Sequence, residues 1–219
     1  MEKIFAVIAA YNEQAHIKKV VEGTKRYVDE VIVVDDGSRD STKQLAKKGG
    51  AAVLSHIVNL GKGAALKTGC DYALENGADI IITIDADAQH NPNDIPRFLD
   101  SLKDQQVVLS YRQHSKAMPL ILKFGNQFIN KTIKFLYGLE IKDSQCGYRA
   151  FTANAYKKLR WKASDYSIES EMIAKIGKYK LSYAEIPIET VYSDRYKGTT
   201  IIDGIKIVLN LLLWKLNNI

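Results

Sequence analysis

The sequence predicts an α/β fold: a three-layer sandwich with a mostly parallel central sheet and a C-terminal amphipathic helix. Three observations predict it. Strand-like and helix-like segments alternate through the first half with short links, the pattern of parallel pairing. The segment "ADIIITID" is an almost unbroken β-branched apolar run, as a strand covered on both faces requires. From 201 onward, apolar residues recur at helical spacing. With 219 residues and 46% hydrophobic content, the chain can bury one substantial core, and residues 1–200 are expected to form one domain with 201–219 as a helical extension.

The elements follow in order. "KIFAVIAA" reads as the first strand, and "EQAHIKKVVEGTKRYV" as an amphipathic helix with Ile17, Val20, Val21 and Thr24 on one face. "EVIVVDD" is the second strand, and "SRDSTKQLAKK" a helix capped by Ser38 or Asp40. "AAVLSH" is a short third strand. "GKGAALKTGCDYALENG" is a helix opened by glycines, and "ADIIITID" is the fourth strand. "PNDIPRFLDSLKD" is a helix with an early proline, and "QVVLSY" the fifth strand. In the second half, "PLILKFGNQFINKTIKFLYG" has helical spacing, with Lys123, Gln127, Asn130 and Lys134 along one stripe. A strand "GYRAF", helices near Ala153–Leu159 and Ile168–Lys178, and a strand "LSYAEIPI" come next. In the last helix Ile201, Ile205, Val208, Leu209, Leu212, Leu213 and Leu216 share one face, opposite Asp203, Lys206, Asn210 and Asn217.

Composition narrows the class. The two cysteines, Cys70 and Cys146, lie far apart and outside any metal-ligand spacing, which points to a reduced, intracellular setting and not to a disulfide scaffold. The apolar run Ile4–Ala10 is too short for the core of a signal peptide, and nothing offers the ~20 apolar residues of a spanning helix. The net charge of +6 suits an anionic partner, whether nucleic acid, lipid or a phosphorylated substrate. No helix-turn-helix, zinc or aromatic RNA-binding signature supports nucleic acid. The positive charge concentrates in Arg112, Lys116, Lys123, Lys131, Lys134 and Lys142, against Glu140 alone.

Ligands of parallel sheets collect beyond the carboxyl ends of the strands. Four polar clusters are expected there: Tyr11-Asn12-Glu13, Asp35-Asp36-Gly37-Ser38, Asp85-Ala86-Asp87 and Ser110-Tyr111-Arg112. Asp85 and Asp87 can hold one hard divalent ion with Gln89 as a neutral oxygen donor; read alone, the same residues make a solvated turn ahead of Pro92. Their place at the end of a buried strand, beside the other clusters, favours the metal. Lys62, at a glycine-flanked helix start, can meet a diphosphate together with backbone N–H groups, or simply face solvent. Asp35 and Asp36 can accept hydrogen bonds from a base and ribose, or shape a turn.

In order and spacing, "AAYNE", "VVDDGSRD", "NLGKGAALKTG", "DADAQHNP" and "DSQCGYRAF" resemble family 2 glycosyltransferases of the GT-A fold, most of all the dolichyl- and polyprenyl-phosphate hexose synthases. The resemblance spans residues 3 to 200. It implies Mg²⁺ or Mn²⁺ at Asp85, Asp87 and Gln89, and nucleotide contacts from Tyr11, Glu13, Asp35, Asp36 and Lys62. It also implies an acceptor-phosphate role for Arg112, and a closing loop in "SDRYKGTT" through Arg195, Lys197 and Gly198. Thr199 and Thr200 stand there where relatives often have Ser-Lys, and a second acceptor arginine is replaced by Lys123 or absent.

The implied reaction is inverting transfer of a hexose from GDP-mannose or UDP-glucose to dolichyl or polyprenyl phosphate at the cytoplasmic face of the membrane, with Asp87, Arg112 and Arg195 as catalytic residues. A phosphate acceptor is already anionic at neutral pH and needs no general base. "YSIESEM" offers Glu169 and Glu171 where hydroxyl-directed relatives present an aspartate; orientation is the preferred role. Residues 119–137 and 201–216 are the candidates for peripheral membrane contact, with core or dimer packing as the alternative. His90 lacks a partner histidine at ligand spacing, and Cys146 reads as a small buried residue. The competing functions are hydroxyl glycosylation and nucleotide-sugar binding without turnover.

Overall fold

The computed structural model describes residues 2–113, 120–189 and 201–217. Strands β1 (Ile4–Ala10), β2 (Glu30–Asp35), β3 (Ala52–Ser55), β4 (Ile80–Thr83), β5 (Val107–Arg112), β6 (Arg149–Thr152) and β7 (Tyr183–Ile188) form a seven-stranded sheet in the order β3-β2-β1-β4-β6-β5-β7. β1 pairs in parallel with β2 and β4, β2 with β3, and β5 with β7. β6 alone runs against its neighbours β4 and β5. β5 therefore points the same way as β4, and every carboxyl strand end except that of β6 lies along one edge. The turn leading into β6 reaches that same edge.

Side-chain alternation places a core on each face of the sheet. Phe5 and Val7 of β1, with Ile32 and Val34 of β2, join the core under α3 (Lys62–Glu75), α5 (Leu120–Tyr137), α6 (Ala153–Leu159), α7 (Ile168–Tyr179) and α8 (Ile201–Leu216). Ala6, Ile8, Val31 and Val33 face the core under α1 (Ile17–Thr24), α2 (Thr42–Gly49) and α4 (Ile95–Leu102). These are the three layers. α1 buries Ile17, Val20, Val21 and Thr24, the face its spacing marks. Each of its fully buried aliphatic side chains contributes about 2 kcal/mol, and a charge at Val21 would break the contact.

Helix ends shift slightly from expectation. α2 starts at Thr42, whose amide donates to Asp40 at 2.9 Å, so Asp40 serves the helix start while the Ser38 hydroxyl accepts from the Asn12 amide. A 3₁₀ turn, Pro92–Asp94, precedes α4 because Pro92 and Pro96 interrupt the amide ladder.

α8 differs in which face it buries. Ile205, Leu209, Leu212, Leu213 and Leu216 are exposed, whereas Ile207 and Leu211 sit in the core. Apolar residues occur on most sides of the helix: five of the residues the spacing singles out face outward, while Val208 of that set packs with Ile207, Leu211 and Trp214 against the core. The Tyr137 hydroxyl donates to the Leu211 carbonyl at 2.8 Å, fastening α5 to α8. On α5, Ile129 and Ile133 are buried while Phe128 and Phe135 face solvent. Among the described residues no helix is long and apolar enough to cross a membrane.

Candidate active site

The loops after β1 and β2 are tied together. Asn12, held at φ +54°, accepts the Arg39 amide on its side chain, and the Thr42 hydroxyl accepts the Glu13 amide at 2.8 Å. Tyr11 is exposed beside them. Asp35 accepts the Ser38 amide through its side chain at 3.2 Å. Asp36 is buried and fully engaged: Oδ1 meets His56 Nδ1 at 2.6 Å and the Leu60 amide at 2.9 Å, and Oδ2 the Gly61 amide at 2.8 Å. Its carboxylate thus fixes the loop that leads into α3.

That loop meets the second half of the chain. The Ser164 carbonyl accepts from the Gly63 and Ala64 amides at 2.8 and 3.2 Å. A Cβ on Gly61 would lie 2.3 Å from that oxygen, and one on Gly63 2.3 Å from the Ala163 carbonyl. The glycines are therefore required for backbone contact with residues 163–164, and the two amides available for a phosphate already have an acceptor. Lys62 is what this helix start presents to the site.

Lys62 Nζ lies 2.8 Å from Asp85 Oδ1 and 2.9 Å from Glu169 Oε1. His90 Nε2 holds the other Asp85 oxygen at 3.3 Å. Burial disfavours the Asp85 carboxylate, but Lys62 and His90 outweigh it and hold its pKa well below the usual range. Burial likewise opposes the Lys62 ammonium, and Asp85 and Glu169 more than restore it. The His90 imidazole, penalised by burial yet facing Cys146 and Asp85, is pushed up to about 10. Asp87 behaves oppositely. Burial and then the neighbouring Asp85 raise its pKa, and its side chain accepts the Gln89 amide at 3.0 Å. Ala88 between them sits at φ +60°, a conformation that costs an L-residue about 1 kcal/mol.

This donor set fits a hard divalent ion. Asp85, Asp87 and Gln89 supply oxygen, and Asp87, raised first by burial and then by Asp85, is a carboxylate that a bound cation would hold in its charged form. Among the described residues no cluster of three or more His, Cys, Asp or Glu side chains is preassembled for a metal, so ligands beyond the two carboxylates must come from Gln89, water or a substrate.

At the end of β5, Arg112 forms a fork on Asp143, with Nε to Oδ2 at 2.7 Å and Nη2 to Oδ1 at 3.1 Å. Asn126 of α5 donates to the same carboxylate at 3.0 Å. Burial opposes the Asp143 charge, and Arg112 brings its pKa below normal. Arg149 is 1% exposed and donates to the carbonyls of Cys146, Ser144 and Glu169, each at 2.8 Å, pinning the turn before β6 to α7. Glu171 accepts the Lys162 and Ala163 amides and pairs with Lys175 at 2.9 Å.

The structure therefore brings Lys62, Asp85, His90 and Glu169 into direct contact, with Asp87 and Gln89 on the same turn. Tyr11, Glu13, Asp35 and Asp36 lie on the neighbouring loops, and Arg112 ends β5 on the same edge. Arg195, Lys197, Gly198, Thr199 and Thr200 lie outside the described residues, as do Lys116 and the Lys123 side chain. Sequence reasoning assigned no site role to His90 and did not select Asp143. The signal for Asp143 was its place in the same short motif as Arg149; for His90 it was adjacency to Gln89, with the partner being a carboxylate instead of a second histidine.

This edge of a mostly parallel sheet, with its acidic turn after β4, belongs to the GT-A nucleotide-sugar transferase fold. A solved structure of glucosyl-3-phosphoglycerate synthase from Mycobacterium tuberculosis, in complex with Mn²⁺, UDP-glucose and phosphoglyceric acid, matches with a TM-score of 0.76 at 21% identity, over 99% of this chain and 79% of that one. Within that class the chain belongs to glycosyl transferase family 2, whose model matches residues 5–160. It is 34% identical, over 99% of its length and 97% of the relative's, to a UDP-N-acetylglucosamine–dolichyl-phosphate N-acetylglucosaminyltransferase of Methanococcus voltae. It is 30% identical, over 70% of its length and 49% of the relative's, to an undecaprenyl-phosphate 4-deoxy-4-formamido-L-arabinose transferase of Shewanella sediminis.

Proposed function

We propose that this glycosyltransferase moves a sugar from a uridine diphosphate sugar to a polyprenyl phosphate at a membrane surface, inverting the sugar carbon. One observation carries the acceptor assignment: both glutamates that could serve as a general base are already committed, Glu169 to Lys62 and Glu171 to the Lys162 and Ala163 amides. An acceptor hydroxyl would need such a base, whereas a phosphate with a second pKa of about 6 does not. The relatives that act on dolichyl and undecaprenyl phosphate support the same acceptor class.

In this reading the acceptor phosphate oxygen attacks the anomeric carbon and the nucleoside diphosphate departs. A divalent ion held by Asp85, Asp87 and Gln89 would offset charge on the departing diphosphate. Lys62 adds positive charge beside it, and Asp143 holds the Arg112 fork in place for the acceptor phosphate. Arg195 and Lys197 would close over the donor and exclude water. Tyr11, Glu13 and Asp35 border the nucleotide, and Asp36 fixes the loop beside it.

The isoprenoid tail stays in the bilayer, because each CH₂ moved to water costs about 0.8 kcal/mol. The outward stripe of α8 (Ile205, Leu209, Leu212, Leu213, Leu216), with Phe128 and Phe135 of α5, is the surface we assign to the lipid. Exposed Lys131, Lys206 and Lys215 stand on the same helices, each adding about 1 kcal/mol against anionic headgroups. The protein then acts peripherally on the cytoplasmic leaflet.

The test is direct. Purified protein is incubated with Mn²⁺, polyprenyl phosphate in detergent, and radiolabelled UDP-N-acetylglucosamine, UDP-glucose or GDP-mannose. Label should enter the organic phase, with a UDP sugar the best donor; label that appears only on hydroxyl acceptors would refute the acceptor assignment.

A further inference from the structure

Lys62 meets two carboxylates at nearly equal distance, Asp85 at 2.8 Å and Glu169 at 2.9 Å. They differ in kind. Asp85 belongs to the acidic turn proposed to ligate a divalent ion, while Glu169 stands across the cleft on the first turn of α7. Glu171 is already bound to two amides and Lys175, and Arg149, which grips the Glu169 carbonyl at 2.8 Å, fixes the backbone beneath Glu169. The space around the ammonium is also built. A Cβ on Gly147 would lie 2.7 Å from Nζ and 3.1 Å from both Asp85 oxygens, so any side chain there would crowd the Lys62–Asp85 pair.

Both Asp85 oxygens thus have cationic or donor partners, Lys62 on one and His90 on the other. An ion that takes Asp85 as a ligand must approach an ammonium already in contact with it, and like charges at that range repel strongly where water is scarce. Without a second partner, an ammonium driven from Asp85 would be left partly buried and unpaired, which proteins avoid. Glu169 supplies that partner.

Building on the function proposed above, we infer that Lys62 is an internal competitor of the divalent cation for Asp85, and that Glu169 is the positioning residue that receives the ammonium when the cation arrives. The protein alone then holds the ion weakly. A diphosphate changes the balance by ligating the ion and attracting Lys62, so ion and donor enter together. Glu169 acts through Lys62 and touches no reacting atom.

The experiment is a manganese titration followed by loss of the free-ion EPR signal, with and without UDP. Without UDP, Lys62→Met should tighten manganese binding at least tenfold, and Glu169→Gln should weaken it severalfold. In the Lys62→Met background the Glu169→Gln effect should fall to less than half, because its route of action is gone. A plain loss of negative charge would act equally in both backgrounds. Lys62→Met binding within twofold of wild type, or a Glu169→Gln effect that persists undiminished, overturns the inference while leaving the proposed reaction standing. Failure of every variant, wild type included, to bind manganese even with UDP overturns both. If Lys62→Met gives no cooperative melt, Lys62→Gln, which keeps a neutral donor for both carboxylates, is read in its place with the same thresholds.

Discussion

The corner around Asp85 and the outer face of α8 break opposite rules of folding. At the corner, charged groups are drawn out of water: Glu169 is 4% exposed, and every oxygen of Asp85 has a partner. On α8, leucines are left in water: Leu216 is 82% exposed and Leu209 55%. Buried charge and exposed apolar surface both cost stability, so a chain that maintains both uses them. The contrast also separates their partners. In the function proposed above, the corner takes a small anionic ligand with its counter-ion, whereas the exposed leucines of α8 meet a lipid surface.

The comparison breaks first at Asp87. Asp87→Ala should reduce sugar transfer by about 10²–10³-fold with an unchanged circular dichroism spectrum, since it removes electrostatic support at the leaving group. A loss under threefold would move the site elsewhere. Next comes the frame of the corner. Asp143→Asn should destabilise the protein by about 3 kcal/mol in urea titration, because it removes the buried carboxylate that accepts the Arg112 fork and the Asn126 amide. The pH response gives the sign. The folded Asp143 pKa is depressed, so its contribution is fully present above the unfolded carboxylate value and is lost as pH falls through the folded one. Melting temperature should therefore drop below about pH 4 more steeply in wild type than in Asp143→Asn.

The helix face should respond the other way round. Leu209→Glu with Leu213→Glu should cut binding to vesicles containing anionic lipid by about tenfold or more while stability changes by no more than about 0.5 kcal/mol per site. If the pair instead converts a dimer to a monomer in sedimentation and leaves vesicle binding intact, the face covers a second copy. The smallest effect is at Ala88. Ala88→Gly relieves the left-handed strain and should leave stability within about 1 kcal/mol and transfer within twofold, whereas Ala88→Val should lower both.

The parallel half of the fold was legible because its signals are local. β4 is a short apolar run ended by an acidic turn, and α1 shows its buried face by spacing alone. The contacts that assemble the corner are not local. Glu169 reaches Lys62 across the fold, and nothing in "YSIESEM" tells which of two glutamates faces the site and which caps residues 162 and 163. His90 was passed over because its partner is a carboxylate. The glycines around Lys62 resemble a phosphate loop for a steric reason: both a loop and a close backbone neighbour demand the absent side chain, and only the fold shows that residues 163–164 are that neighbour. α8 was half legible, since a helix apolar on most sides does not announce which side is buried.

The sealing of the α3 start by Ser164 has a consequence for anyone who cuts or grafts this chain. The family model matches only as far as residue 160, yet the loop that closes the helix and the glutamate that neutralises Lys62 both come after it. A fragment trimmed at that border would expose bare amides and strand a lysine, and should be recovered as aggregate. A chimera that borrows another enzyme's C-terminal third would have to bring with it a carbonyl placed for the Gly63 and Ala64 amides and a carboxylate for Lys62, because the two portions complete each other.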